Sequence, residues 1–178
     1  MIRLACLACA AVTTALWAFW WEPASLAIVE QPLFFPWSSN GTLRVAVLTD
    51  LHTGSPLNGI AKLRTVVDRT NAAAPDLICI LGDLVIQGVV GGHFVAPEDI
   101  AAELKRRRAR VGVVAVLGNH DGWFDHDRVA AALKTNGVRI VEDTAVKLET
   151  PAGPLWIAGS APQPESHTRV RPTGHASR

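Results

Sequence analysis

The sequence predicts a layered α/β fold, and three observations carry that expectation. Apolar runs at 43–49, 76–81 and 111–117 lack the polar alternation of a half-exposed strand, as expected of strands covered on both faces. Segments with apolar residues at helical spacing separate them: Ile60, Leu63, Val66 and Val67, then Ile100, Ala101 and Leu104. Polar side chains follow each run at once, namely Asp50 and His52, then Asp83, then Asn119 and His120. In parallel α/β sheets, ligands collect at these carboxyl ends of strands.

The elements follow in chain order. Residues 4–21 are uncharged and mostly apolar, preceded by Arg3, and long enough to cross most of a bilayer core as a helix. Trp17, Trp20 and Trp21 close the stretch, where amphipathic indoles favour the headgroup region of an anchor. Ser25-Leu26-Ala27 also offers small residues at signal-peptidase spacing, so residues 1–27 are read as a transmembrane anchor or, alternatively, an export signal removed by cleavage. Arg3 is the one basic residue before Arg44, which puts the N-terminus in the cytoplasm and the following domain on the extracytoplasmic side. Residues 28–42, with Pro32, Pro36 and the Ser38-Ser39-Asn40-Gly41 run, form a juxtamembrane linker.

The folded domain is expected over residues 43–159. Its first strand, 43–49, leads to a helix; a strand at 76–81, a helix at 97–108 and a strand at 111–117 complete a β-α-β-α-β order. A third helix is expected to begin near Asp125, whose carboxylate can cap it, and to end at Asn136-Gly137. Strands at 138–142, 145–149 and 155–158 follow, with Pro151-Ala152-Gly153-Pro154 turning between the last two. Residues 160–178 are Pro-, Arg- and Ser-rich with few apolar groups, as a disordered tail reads.

Composition narrows the function. A net charge of +1 gives no bulk electrostatic attraction for nucleic acid or an anionic surface, and no nucleic acid is expected as a partner. The basic run at 105–110 falls at a helix C-terminus, where cations complement the dipole. Cys6 and Cys9 lie in the apolar stretch and Cys79 in a core strand, so no disulfide framework is suggested. His93, in a Gly-rich loop, reads as a surface histidine before a cleft residue, and His126 is given no role. Asn40-Gly41-Thr42 fits a glycosylation sequon, a pattern too short to carry weight alone.

Two carboxylates, an imidazole and a carboxamide at one sheet edge need a cation to offset their charge. This donor mix suits a divalent ion of the Mn, Fe or Zn class. In extended backbone, residues i and i+2 share a face, so Asp50 and His52 are expected to reach one ion. Glycines before Asp83 and Asn119 permit close approaches that a side chain would block.

Thr49-Asp50-Leu51-His52, Leu81-Gly82-Asp83 and Leu117-Gly118-Asn119-His120-Asp121, in that order, resemble the first three motifs of the calcineurin-like metallophosphoesterases. Gly91-Gly92-His93-Phe94 and Trp123-Phe124-Asp125 look most like that superfamily's bacterial membrane-associated branch. The resemblance implies a β-sheet sandwich flanked by helices, and hydrolysis of a phosphate mono- or diester, or a pyrophosphate, by hydroxide activated on two divalent metals. It further implies Asp50 and His52 on one metal, Asp83 bridging both, and Asn119 on the other. His120 is implied to contact the scissile phosphate and to stabilise or protonate the leaving oxygen, with Asp121 as its orienting partner. An anchored cleft suggests a lipid-linked substrate.

The family completes its centre with later histidines, ending in Gly-His-x-His. Here Ser166-His167 and Gly174-His175-Ala176-Ser177 only imitate those motifs, since Ser177 stands where the last histidine belongs and too little chain separates the two. The expectation is therefore a fold incomplete at its C-terminus, with exposed strand faces and an unpaired edge, and a metal centre short of ligands. Two other functions stay open: a catalytically impaired remnant or binding module, and a nuclease, which the absence of a basic track disfavours.

Overall fold

The structure is a computed structural model that describes residues 2–34 and 41–161. The tail histidines His167 and His175, with most of the expected tail and part of the linker, lie outside the described residues.

The apolar N-terminus is helical throughout. Helix α1 (Ile2–Leu16) passes through a π-helical turn at Trp17–Trp21 into α2 (Glu22–Ala24). The continuous span Ile2–Ala24 has 23 residues and a mean hydropathy of 1.8, long and apolar enough to cross a membrane, as a signal sequence also can be. None of it is buried against the domain.

The domain proper alternates β1 (Val45–Leu48), α3 (Ile60–Ala72), β2 (Leu77–Leu81), α4 (Pro97–Leu104), β3 (Gly112–Val116), α5 (Asn119–Thr135) and β4 (Arg139–Ile140). The four strands form one parallel sheet in the order β1-β2-β3-β4. Sequential order with right-handed crossovers places every helix on the same face. The core follows suit: Leu48, Ile78, Ile80 and Ala115 from the sheet, with Leu117 just past β3, pack with Leu63, Val67, Ile100, Leu104, Val129 and Leu133 from the helices.

Alternate strand residues point to the opposite face. Leu77, Val114 and Val141 meet Leu148, Val146 and Ile157 there. The last three belong to an antiparallel hairpin of β5 (Thr144–Thr150) and β6 (Gly153–Gly159). This cover is partial: Val45, Val47 and Leu81 stay exposed. The sheet is thus not covered on both faces along its whole width, and β1 forms one of its two edges. Apolar runs report that neither face was made polar, and cannot report what covers each face.

Element boundaries differ from expectation where loops take over. Helix α4 stops at Leu104 rather than 108, because the basic run is used to tie loops together. Arg106 pairs with Glu103 and Asp68, Arg107 donates to the carbonyls of Leu104 and Asn136, and Asn71 bridges α3 to Arg106 and Arg108. Buried Asp76 takes the Arg44 N–H at 2.9 Å and pairs with Arg110. The Arg44 bond, then the Arg110 guanidinium, hold its carboxyl below the usual range against the pull of burial.

Helix α5 begins at Asn119, six residues before the expected start. Asp125 interrupts it with extended dihedrals (φ −171°, ψ 91°), and its Oδ1 accepts the Arg128 N–H at 3.0 Å. Asp125 does therefore cap a helix. The unexpected part is the short helical segment before it, which holds the third motif.

Candidate metal centre

Three loops leave the carboxyl ends of β1, β2 and β3 and are laced together by backbone bonds. The first two run in register past the strand ends: Asp50 N–H donates to Gly82 O, His52 N–H to Asp83 O at 2.8 Å, and Thr53 N–H to Leu84 O at 2.9 Å. Asp50, His52 and Asp83 all sit in the left-handed region, with φ of 52°, 36° and 53°. Such conformations are uncommon for residues with a side chain and gather at functional sites. The extended geometry expected for Asp50 and His52 is therefore corrected. Their side chains still come together, His52 Nε2 lying 3.7 Å from Asp50 Oδ1.

The second and third loops cross at glycines. A Cβ on Gly82, whose φ is +79°, would fall 2.2 Å from the Gly118 nitrogen. One on Gly118 would fall 2.1 Å from Asp83 Oδ1. No side chain fits at either point, so these glycines set how closely Asp83 approaches the start of α5. There Asp83 Oδ1 accepts the His120 N–H at 2.9 Å.

This lacing brings ligand-type atoms of His52, Asp83 and His120 within 4.8 Å of one another. The two imidazoles meet edge to face, with centroids 4.8 Å apart. Asp50 stands beside His52, outside that trio, with its other oxygen accepting Thr49 Oγ1–H at 2.7 Å. Asn119 is placed at the first residue of α5, next to His120. The sequence had not shown that His120 stands among ligand-type atoms.

A divalent cation fits these groups. His52 Nδ1 is buried with no hydrogen-bond partner. Among the described residues, the Asn119 carboxamide and the second Asp83 oxygen also make no hydrogen bond. Unpaired oxygen and nitrogen donors beside two carboxylates are the donor set a borderline or hard divalent ion satisfies.

Asp121 does something other than touch His120. It is fully buried, and its Oδ1 accepts N–H bonds from Leu84 (2.9 Å) and Val85 (3.2 Å), while Oδ2 accepts the Gly118 N–H at 3.0 Å. Among the described residues it makes no hydrogen bond to the His120 ring. Its carboxylate joins the second loop to the third instead. Burial pushes its carboxyl up, the N–H bonds from Gly118, Val85 and Leu84 pull it down, and the Asp83 charge adds to the rise. His120 is flanked by Trp123, with ring centroids 4.7 Å apart.

His93 lies outside the trio, exposed, with its N–H on Gly54 O at 2.8 Å. It lines a shallow cavity with Gly54, Ile86, Gly88, Val89, Gly92 and Phe94, separate from the ligand-type side chains. His126, given no role from sequence, pairs its Nε2 with Glu142 Oε2 at 2.8 Å, and Glu142 Oε1 accepts the Leu117 N–H at 2.9 Å. Glu142 thus braces the end of β3 against α5. Burial pulls the His126 pKa down, but its bonds to Glu142 and Asp127 outweigh this and raise it above the ordinary value. The pair's contribution is complete below about pH 6.5 and is lost as pH rises through the folded-state value. Wild-type protein should therefore lose more of its urea midpoint between about pH 6 and about pH 8 than His126→Gln does. Equal losses would contradict this.

Three parallel strand ends thus present two carboxylates, two imidazoles and a carboxamide, a donor set compatible with a divalent metal. A family model for calcineurin-like phosphoesterases matches residues 43–150, and the chain belongs to that family. Among curated proteins it is similar to the zebrafish (Danio rerio) transmembrane protein with metallophosphoesterase domain, 30% identical over 73% of this chain and 29% of the relative. It is also similar to the cattle (Bos taurus) protein of the same description, 33% identical over 58% of this chain and 23% of the relative. The chain thus spans less than a third of the length of these relatives.

Proposed function

We propose that this chain is a membrane-anchored, metal-dependent phosphoesterase, with its domain on the extracytoplasmic side, acting on a phosphate mono- or diester or a pyrophosphate. The observation that carries the reading is the trio of His52, Asp83 and His120 within 4.8 Å at the ends of three parallel strands. Asp50, His52, Asp83 and Asn119 would hold two divalent ions, and the unpartnered donors described above support that set. Bound there, such ions supply a nucleophile at neutral pH and neutralise phosphoryl charge.

The chain's own residues do the rest. His120, whose N–H is tied to Asp83, faces the substrate side and gives its ring proton to the departing oxygen. Asp121 is a positioning residue, holding the Gly82 and Gly118 loops at the separation that the trio requires. The span Ile2–Ala24 is retained as the anchor, and Arg3 with no further cation before Arg44 supports the outward placement of the domain. Removal of residues 1–27 as an export signal is the alternative for this segment. Kinship with a bacterial membrane-associated branch rests on the stretches at 91–94 and 123–125, and the animal relatives carry membrane association in their descriptions.

Purified chain supplied with Mn should hydrolyse p-nitrophenyl phosphate or its bis-ester, and Asp83→Asn should abolish that rate. The uncovered sheet face at Val45, Val47 and Leu81 favours a second reading, a catalytically impaired remnant or binding module that keeps the fold's first half. It predicts neither tightly held metal nor hydrolysis in the same assay.

A further inference from the structure

Large apolar side chains are exposed on the loops that follow the site's strands. Leu57 is 49% exposed, Val90 95%, Phe94 48% and Trp123 59%. Leu57 belongs to the loop after His52, Val90 and Phe94 to the loop after Asp83, and Trp123 meets the His120 ring edge-on. Phe94 also packs on Phe124, 5.1 Å between ring centroids, which joins the second and third loops. Exposed apolar groups gathered at one edge, rather than scattered, mark an interaction surface.

The anchor ends at this same edge. Helix α3 starts directly after the Leu57 loop and runs away from the site. Lys62, in its first turn, donates to Pro23 O, and Arg69, two turns further on, donates to Leu26 O at 3.4 Å. The chain therefore leaves the tryptophan-rich end of the membrane helix beside the site loops, then descends along α3 away from them. Trp17, Trp20 and Trp21 place that helix end in the headgroup region.

We infer that Leu57, Val90, Phe94 and Trp123 form an interfacial rim that dips into the bilayer holding the N-terminal helix. Continuity with the anchor's exit selects a lipid surface as the occupant of these side chains. Resting on the phosphoesterase reading, the rim further assigns the substrate class: a phosphoester carried by a lipid of that bilayer, whose headgroup meets the metal centre without leaving the membrane.

The test uses the full chain in phosphatidylcholine–phosphatidylglycerol nanodiscs, with Cys6→Ala, Cys9→Ala and Cys79→Ala as background. A nitrobenzoxadiazole label is placed singly through Val90→Cys, Leu57→Cys or Thr135→Cys, the last at the far end of α5. Labels at 90 and 57 should shift to the blue and be quenched by doxyl-labelled lipid, while the label at 135 keeps its aqueous emission. Aqueous emission at both 90 and 57 would overturn the rim, and so would an equal shift at all three positions. Metal-dependent hydrolysis of soluble p-nitrophenyl phosphate, read on the same samples, separates the two claims. A dry label without hydrolysis keeps the rim and removes its substrate assignment, whereas hydrolysis with an aqueous label keeps the phosphoesterase and removes the rim.

Discussion

Asp121→Ala should lower the unfolding free energy by about 3–5 kcal/mol, the cost of stranding several buried N–H donors at about 1–3 kcal/mol each. The N–H groups of Leu84, Val85 and Gly118 all end on this one carboxylate, and its side chain is fully buried. The damage would reach the centre, because those donors flank Asp83 and open the start of α5. Urea denaturation gives the energy, and a loss below about 1 kcal/mol would show that other groups join the loops. Asp121→Asn should cost less, since an amide keeps one acceptor oxygen while turning a donor towards the remaining N–H groups.

His120→Gln should reduce kcat by about 10²–10⁴-fold on an alkyl phosphate, the range of a lost general acid. On p-nitrophenyl phosphate, whose departing phenolate needs little protonation, the loss should be much smaller. That split distinguishes an acid from a ligand. His120 stands in the same trio as His52 and Asp83, so a ligand role would lower metal content and both rates together. Measuring kcat on the two esters beside the metal content of the variant decides between them.

The β-α-β-α-β order was legible because its strands are continuous apolar runs and its helices keep their spacing. Strand ends were legible only approximately. Residues 43–44, 49, 76, 111 and 117 fall outside the observed strands, since apolar character does not specify where ladder bonds stop. The site's composition was legible in its three motifs, and its geometry was not. Left-handed dihedrals at Asp50, His52 and Asp83 are imposed by bonds between loops distant in sequence. The same holds for Asp121, whose partners Leu84 and Val85 lie 37 and 36 residues away. His126 likewise gains its meaning from Glu142, a residue met only once α5 has packed beside β3. Gly82 and Gly118 were the exception, being readable as points of close approach, and the contact each protects is now defined.

Three strand ends that form a divalent-metal centre must keep the ion when free metal is removed. The metal content of the purified chain is measured after Mn loading and removal of free ion. Wild-type chain should retain metal, and Asp83→Asn should lose it while keeping the wild-type circular dichroism spectrum. Wild-type chain that retains no divalent ion, or an Asp83→Asn variant that retains as much as wild type, would contradict such a centre.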